Sequence, residues 1–139
     1  NKETDMYEYN ATIRYIVDGD TVDVDIDLGF DIWLRNQRIR LYGIDTPECR
    51  TRNKQEKAHG LLAKSYVEKV LKLGEVYPLR TKEKGKFGRY LGEIKVGRTT
   101  INALLIKELL AVPYQGQSKK DIAIKQEENR IALIEEGKL

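Results

Sequence analysis

The sequence predicts an α+β fold: a small closed or partly open barrel of five strands with three helices attached. Three observations carry that expectation. The first 45 residues show strand-like alternation and no helical stretch, which argues against a doubly wound parallel sheet. A helical segment then interrupts the strands after the third, and two more strands follow before the chain ends in helix. Finally, 139 residues make one domain, 1–139, and no repeat, low-complexity tract or Pro/Ser-rich linker divides it.

Tyr7 to Val17 is β-rich and ends at the turn Asp18-Gly19-Asp20. Thr21-Val22-Asp23-Val24-Asp25-Ile26-Asp27 alternates polar and apolar residues, so its aspartates are expected on an exposed strand face. Asp23, Asp25, Asp27 and Gly29 mimic an EF-hand loop, but the glycine is misplaced and the twelfth position is Leu34. Leu28-Gly29-Phe30-Asp31 loops into a third strand, Ile32 to Tyr42. There Ile39 and Leu41 point one way and Arg38, Arg40 and Tyr42 the other, with the lone Trp33 expected in the core.

Asn53 or Thr51 caps a helix running to about Leu73, with Leu62, Tyr66, Val70 and Leu73 on its apolar face and Gly74 as its stop. Glu75 to Thr81 and Arg89 to Val96 read as a strand pair, joined by a basic, glycine-bearing connection that reads as mobile by composition. Ile101, Leu104, Leu105 and Leu109 mark a short amphipathic helix. Ser118 opens the last helix, expected to be only partly packed because Lys125 to Arg130 holds no apolar residue.

Composition excludes several function classes. Hydrophobic residues make up 40%, enough for a core. The 25 Lys and Arg against 22 Asp and Glu give a net charge of +3, which permits a polyanionic partner without demanding one. No apolar run approaches the roughly 20 residues of a membrane helix, so no membrane partner is expected. One cysteine, Cys49, excludes an internal disulfide and a Cys-rich zinc site, and nothing near it marks a nucleophile. The single His59, expected on a helix surface, argues against His-based zinc chemistry and a Ser-His-Asp hydrolase.

Two acidic elements stand out, Asp18-Gly19-Asp20-Thr21 at a tight turn and Ile44-Asp45-Thr46-Pro47-Glu48 just after a strand. Carboxylates with a backbone carbonyl suit a hard cation such as Ca²⁺, although aspartate and glycine are also ordinary turn formers. Both loops can converge at one end of a barrel. Arg40 precedes Asp45 on the third strand and Arg89 follows the basic connection. Guanidinium groups bind phosphate bidentately and stay charged at any working pH, so this pair suits a phosphoryl transition state. Arg38, Arg50, Arg52, Lys54 and Lys57 read instead as a solvated basic face. Tyr114 is open to a base-stacking or a packing role.

These pieces together resemble the staphylococcal nuclease (thermonuclease) family. They are Asp18-Gly19-Asp20-Thr21-Val22, then Arg40-Leu41-Tyr42-Gly43-Ile44-Asp45-Thr46-Pro47-Glu48, then Lys86-Phe87-Gly88-Arg89 and Val112-Pro113-Tyr114, in family order from Ile13 to Glu135. The resemblance implies a five-stranded OB-fold β-barrel with three α-helices. It implies Asp20 and Asp45 as Ca²⁺ carboxylate ligands, the carbonyl of Thr46 as a third, and Asp18 behind them. It implies Glu48 as the residue that activates or positions water, Arg40 and Arg89 on the scissile phosphate, and Lys86 and Tyr114 in the nucleotide pocket. Two departures are Phe87 and Gly116, where the best-known member has tyrosines.

The implied activity is Ca²⁺-dependent hydrolysis of DNA and RNA with little sequence specificity, leaving 3′-phosphate ends. Proton delivery to the leaving oxygen stays open between Arg89, a poor acid, and water. The alternative is a catalytically silent barrel that binds nucleic acid or a protein partner. Relatives of that kind lack one or more of the acidic and arginine positions, whereas Asp20, Arg40, Asp45, Glu48 and Arg89 are all present. A monomer without an obligate protein partner is expected. The chain begins at Asn1, which leaves the compartment open, and the resemblance favours a secreted or periplasmic setting.

Overall fold

The computed structural model describes residues 7–84 and 89–139. Lys86 and most of the basic connection therefore lie outside the described residues. Strands β1 (Glu8–Asp18), β2 (Thr21–Asp27) and β3 (Trp33–Leu41) form an antiparallel meander. After β4 (Ile44–Asp45) comes helix α1 (Lys54–Val70), then β5 (Val76–Lys84) and β6 (Tyr90–Val96). The rest is β7 (Thr99–Thr100), α2 (Ile101–Lys107), β8 (Val112–Pro113) and α3 (Lys119–Glu135).

The main sheet runs β3-β2-β1-β5-β6-β7, and β3 also pairs with β6. That parallel pairing, Ile39 with Tyr90 through Leu41 with Gly92, closes a five-stranded barrel of the OB type. Closure is tight at Gly92: a Cβ there would lie 2.9 Å from Leu79 Cδ1 and 3.0 Å from Arg80 O, so only glycine fits without displacement. Inside lie Ile13, Val22, Val24, Ile39, Leu41, Leu79 and Ile94, all at most 1% exposed. The period-two pattern of β2 and β3 thus fixed which side chains face inward.

Five expectations need correction. Asp25 is not on an exposed face. The irregularity in the β2–β3 pairing between Val24 and Ile26 sets Asn36 beside it, whose N–H donates at 2.9 Å, and Arg35 and Arg14 cover it at 3.1 and 3.5 Å. Burial pushes its carboxyl up, but these partners outweigh that and hold it below its ordinary value. Trp33 is not core: it is half-buried at the start of β3, and the Arg35 guanidinium covers its ring at 4.6 Å.

Helix α1 is capped by Asn53, whose Oδ1 accepts from Gln55 N and Glu56 N at 3.1 and 3.0 Å. It ends at Val70, and Leu73 is 63% exposed. Its deepest face is His59, Gly60, Ala63 and Val67, while Leu62, Tyr66 and Val70 flank it. Small residues bring the helix axis close to the barrel, so the bulky apolar residues end up beside the contact line. His59 is accordingly fully buried, not a surface residue. Its Nε2 donates to Leu109 O at 2.9 Å, and burial lowers its pKa, keeping the ring neutral. Helix α3 packs more fully than its polar stretch predicts: Gln126 and Arg130 are buried in line with Ile122 and Leu133.

Asn102, buried on α2, ties this helix to the barrel. Its Nδ2 donates to Tyr42 O at 2.9 Å and Gly92 O at 3.3 Å, and its Oδ1 accepts from Ile94 N at 3.4 Å. Asn102→Ala strands those groups, and a loss of about 2–3 kcal/mol is expected in urea unfolding.

Candidate functional site

Strand register brings the acidic elements together. Asp18 pairs with Thr21 across the Gly19-Asp20 turn, and Thr21 in turn pairs with Arg40. Asp20 O accepts from Leu41 N at 2.8 Å, so the turn is bonded to the end of β3. The chain then reverses at Tyr42-Gly43, where Gly43 has φ 77, and enters β4 with Asp45. Thr46 N–H donates to Asp20 Oδ2 at 3.3 Å and Thr21 Oγ1 donates to Asp20 Oδ1 at 3.0 Å. Asp20 is thereby oriented from both loops.

Arg40 lies between the two carboxylates. Its Nη1 is 2.6 Å from Asp20 Oδ2, close as an ion pair but misaligned for a hydrogen bond, and its Nη2 is 3.5 Å from Asp45 Oδ1. All three side chains are three-quarters or more buried. Burial, helped by the charges of Asp20 and Glu48 and opposed by Arg40, lifts the Asp45 carboxyl from its ordinary 3.8 to about 6. Burial also raises Glu48, with Asp20, Asp18 and Glu56 adding to the effect. The centre holds more negative charge than one guanidinium offsets.

That excess is the test of fit for a cation. Two converging carboxylates, drawn around a positive group and still short of positive charge, suit a hard divalent ion whose remaining ligands are carbonyl oxygen and water. No cluster of three or more His, Cys, Asp and Glu among the described residues is arranged to hold a metal, so a cation here depends on Asp20, Asp45 and non-side-chain oxygens. Cys49 next to the loop is buried. Burial and its hydrogen bond to Asp18 push the thiol to about 11, which leaves it unreactive.

Tyr114 reaches the same end of the barrel through a two-stranded sheet. Ile44 pairs with Pro113 and Asp45 with Val112, and Tyr114 N–H donates to Gly43 O at 2.8 Å. Tyr114 is 44% exposed. Arg40, Tyr42, Leu91, Tyr114 and Gly116 line a cleft of about 320 Å³, at the small end of ligand-sized pockets. Arg89 is half-buried immediately before β6, one residue ahead of the Ile39–Tyr90 pairing, so its segment runs beside the strand of Arg40. Asp20, Arg40, Asp45, Thr46, Glu48 and Tyr114 are thus gathered at one end.

Sequence reasoning missed two residues that hold this arrangement. Asn102 bonds to the carbonyl of Tyr42, and Gly60 of α1 lies against the backbone of Pro47 and Glu48. A polar residue beside Ile101 on an apolar helix face, and a glycine inside a helical run, were the available signals.

Comparison with known proteins gives the family. Residues 38–134 match the family described as staphylococcal nuclease homologue. The chain is 34% identical to a thermonuclease of Staphylococcus intermedius over 78% of its length and 61% of the relative's. It is 32% identical to a thermonuclease of Staphylococcus hyicus over 75% of its length and 59% of the relative's. The chain thus spans about three-fifths of these two relatives. An uncharacterized protein of Methanocaldococcus jannaschii is 30% identical across 94% of this chain and 73% of its own length. The chain belongs to the staphylococcal nuclease homologue family.

Proposed function

We propose that this protein is a Ca²⁺-dependent phosphodiesterase that cleaves DNA and RNA with little sequence preference and leaves 3′-phosphate ends. The observation that carries the reading is the convergence of Asp20, Asp45 and Arg40 beside the cleft that Tyr114 lines. The family and its thermonuclease relatives support a nuclease-like function. The metal, the products and the residue roles are our reading.

Asp20 and Asp45, with the carbonyl of Thr46, hold the cation, which when bound neutralises charge on the phosphodiester and orients its oxygens. Arg40 lines the cleft and donates from its guanidinium to the scissile phosphate, where negative charge grows at phosphorus. Arg89 supplies a second guanidinium from the neighbouring strand. Glu48 accepts the proton of the attacking water, and its raised pKa matches that task better than an ordinary carboxylate's would. Tyr114 and Lys86 hold the adjacent nucleotide. With one stacking tyrosine and no base-reading element, flexible or single strands are the preferred substrate.

Incubating single-stranded DNA, duplex DNA and RNA with the protein, in calcium or in chelator, tests the reading. Degradation in calcium alone is expected, fastest on single strands. Retention of intact nucleic acid in both conditions, with DNA still bound, would identify a silent binding module instead.

A pH dependence follows from Asp45. Without calcium, the folded protein keeps a proton on Asp45 up to about pH 6, whereas the unfolded chain releases it near 3.8. The cation-free protein therefore loses stability as pH rises between those values. Calcium needs the ionised form, so calorimetry is expected to show affinity falling by up to about tenfold per pH unit below 6. An affinity flat from pH 7 to 5 would remove Asp45 from the ligand set.

A further inference from the structure

We propose that Gly60 is a positioning residue, whose missing side chain lets helix α1 set the height of the Glu48 loop. The inference rests on the nuclease reading above. A Cβ on Gly60 would lie 2.5 Å from Glu48 O, 2.7 Å from Glu48 C and 2.7 Å from Pro47 O. All three are backbone atoms, so no side chain can swing away, and reaching an ordinary separation of ~3.5 Å needs a retreat of about 1 Å.

One turn along, Ala63 meets the other acidic element. A Cβ on Gly19 would lie 2.9 Å from Ala63 Cβ and 3.2 Å from Thr46 Cγ2 and Oγ1. Gly60 and Ala63, both buried, are therefore the floor on which the loop of Glu48 and the turn of Asp20 rest. The helix has neither a charge nor a donor at that floor. It acts by distance: it fixes how far the Glu48 backbone stands from the Asp20–Arg40–Asp45 centre. Helix propensity favours alanine over glycine, so any loss in Gly60→Ala traces to this contact and not to the helix.

Displacing a reacting group by about 1 Å costs on the order of 10²-fold in rate. Gly60→Ala is thus expected to lower kcat about 10²-fold with KM within a factor of two. Because Gly60 acts through Glu48, adding Gly60→Ala to Glu48→Gln is expected to cost little more, whereas a general structural defect would multiply. Val67→Ala, two turns along the same buried face, is the control: it lowers Tm and leaves kcat near the parent value. Amide shifts of Thr46, Glu48 and Cys49, recorded without metal or substrate, are expected to move in Gly60→Ala and not in Val67→Ala.

If Gly60→Ala does not fold, Gly19→Ala tests the same floor. A kcat loss of about tenfold, restored by adding Ala63→Gly, supports the proposal, and absence of rescue overturns it. In the Gly60 series, unchanged amide shifts, or a full further loss in the Glu48→Gln background, overturns the inference alone. A parent protein that cleaves nothing overturns the nuclease reading and the kinetic role of Gly60 with it.

Discussion

Arg40→Ala is expected to lower the cleavage rate on the order of 10³-fold, because it removes the donor placed between both carboxylates and the cleft. The same change leaves Asp20 and Asp45 facing each other without their shared counter-charge. The three side chains are 12–24% exposed, so the cost falls below that of a fully buried pair, about 2 kcal/mol near pH 8 without calcium. Below about pH 6 the stability cost shrinks, because Asp45 carries a proton there and no longer needs the guanidinium. Arg40→Lys keeps the charge but cannot reach two carboxylates and a phosphate at once, and recovers little of the rate. Urea unfolding at pH 5 and 8, beside cleavage assays, separates the two effects. A fully active Arg40→Ala protein would place the phosphate-binding group elsewhere.

Strand alternation and punctuation made the barrel legible. Val22, Val24, Ile39 and Leu41 faced inward as their pattern dictated, and Asp18-Gly19-Asp20 formed the expected turn. The site was legible as motifs but not as geometry. Nothing local says that Val112 will pair with Asp45, which is what sets Tyr114 beside the acidic loop. Nor could spacing show that Arg40 turns toward Asp20 and Asp45, since that follows from the Thr21–Arg40 register.

The misreadings share a cause: each depends on close approach in three dimensions. His59 and the small residues of α1 are deep because they let the helix approach the acidic loops closely. A hydrophobicity pattern favours bulky residues and passed over them. Asp25 was assigned to an exposed face from its alternation with Val24 and Ile26, and an irregularity in the pairing with β3, with Arg14 and Arg35 reaching over it, buried it on that face.

In the proposed reaction, Glu48 is the residue on which hydrolysis, as opposed to binding, depends. It stands three residues after Asp45 and two after Thr46, with its pKa raised by burial and by Asp20 and Asp18. A glutamine there keeps the shape and loses the proton acceptor. The most direct measurement is single-turnover cleavage of single-stranded DNA by Glu48→Gln and the parent, with calcium and DNA affinities measured on both. A rate loss of about 10²–10⁴-fold with both affinities unchanged is the predicted result. Cleavage at the parent rate would contradict general-base catalysis by Glu48 and, with it, the account of this site as a hydrolytic centre.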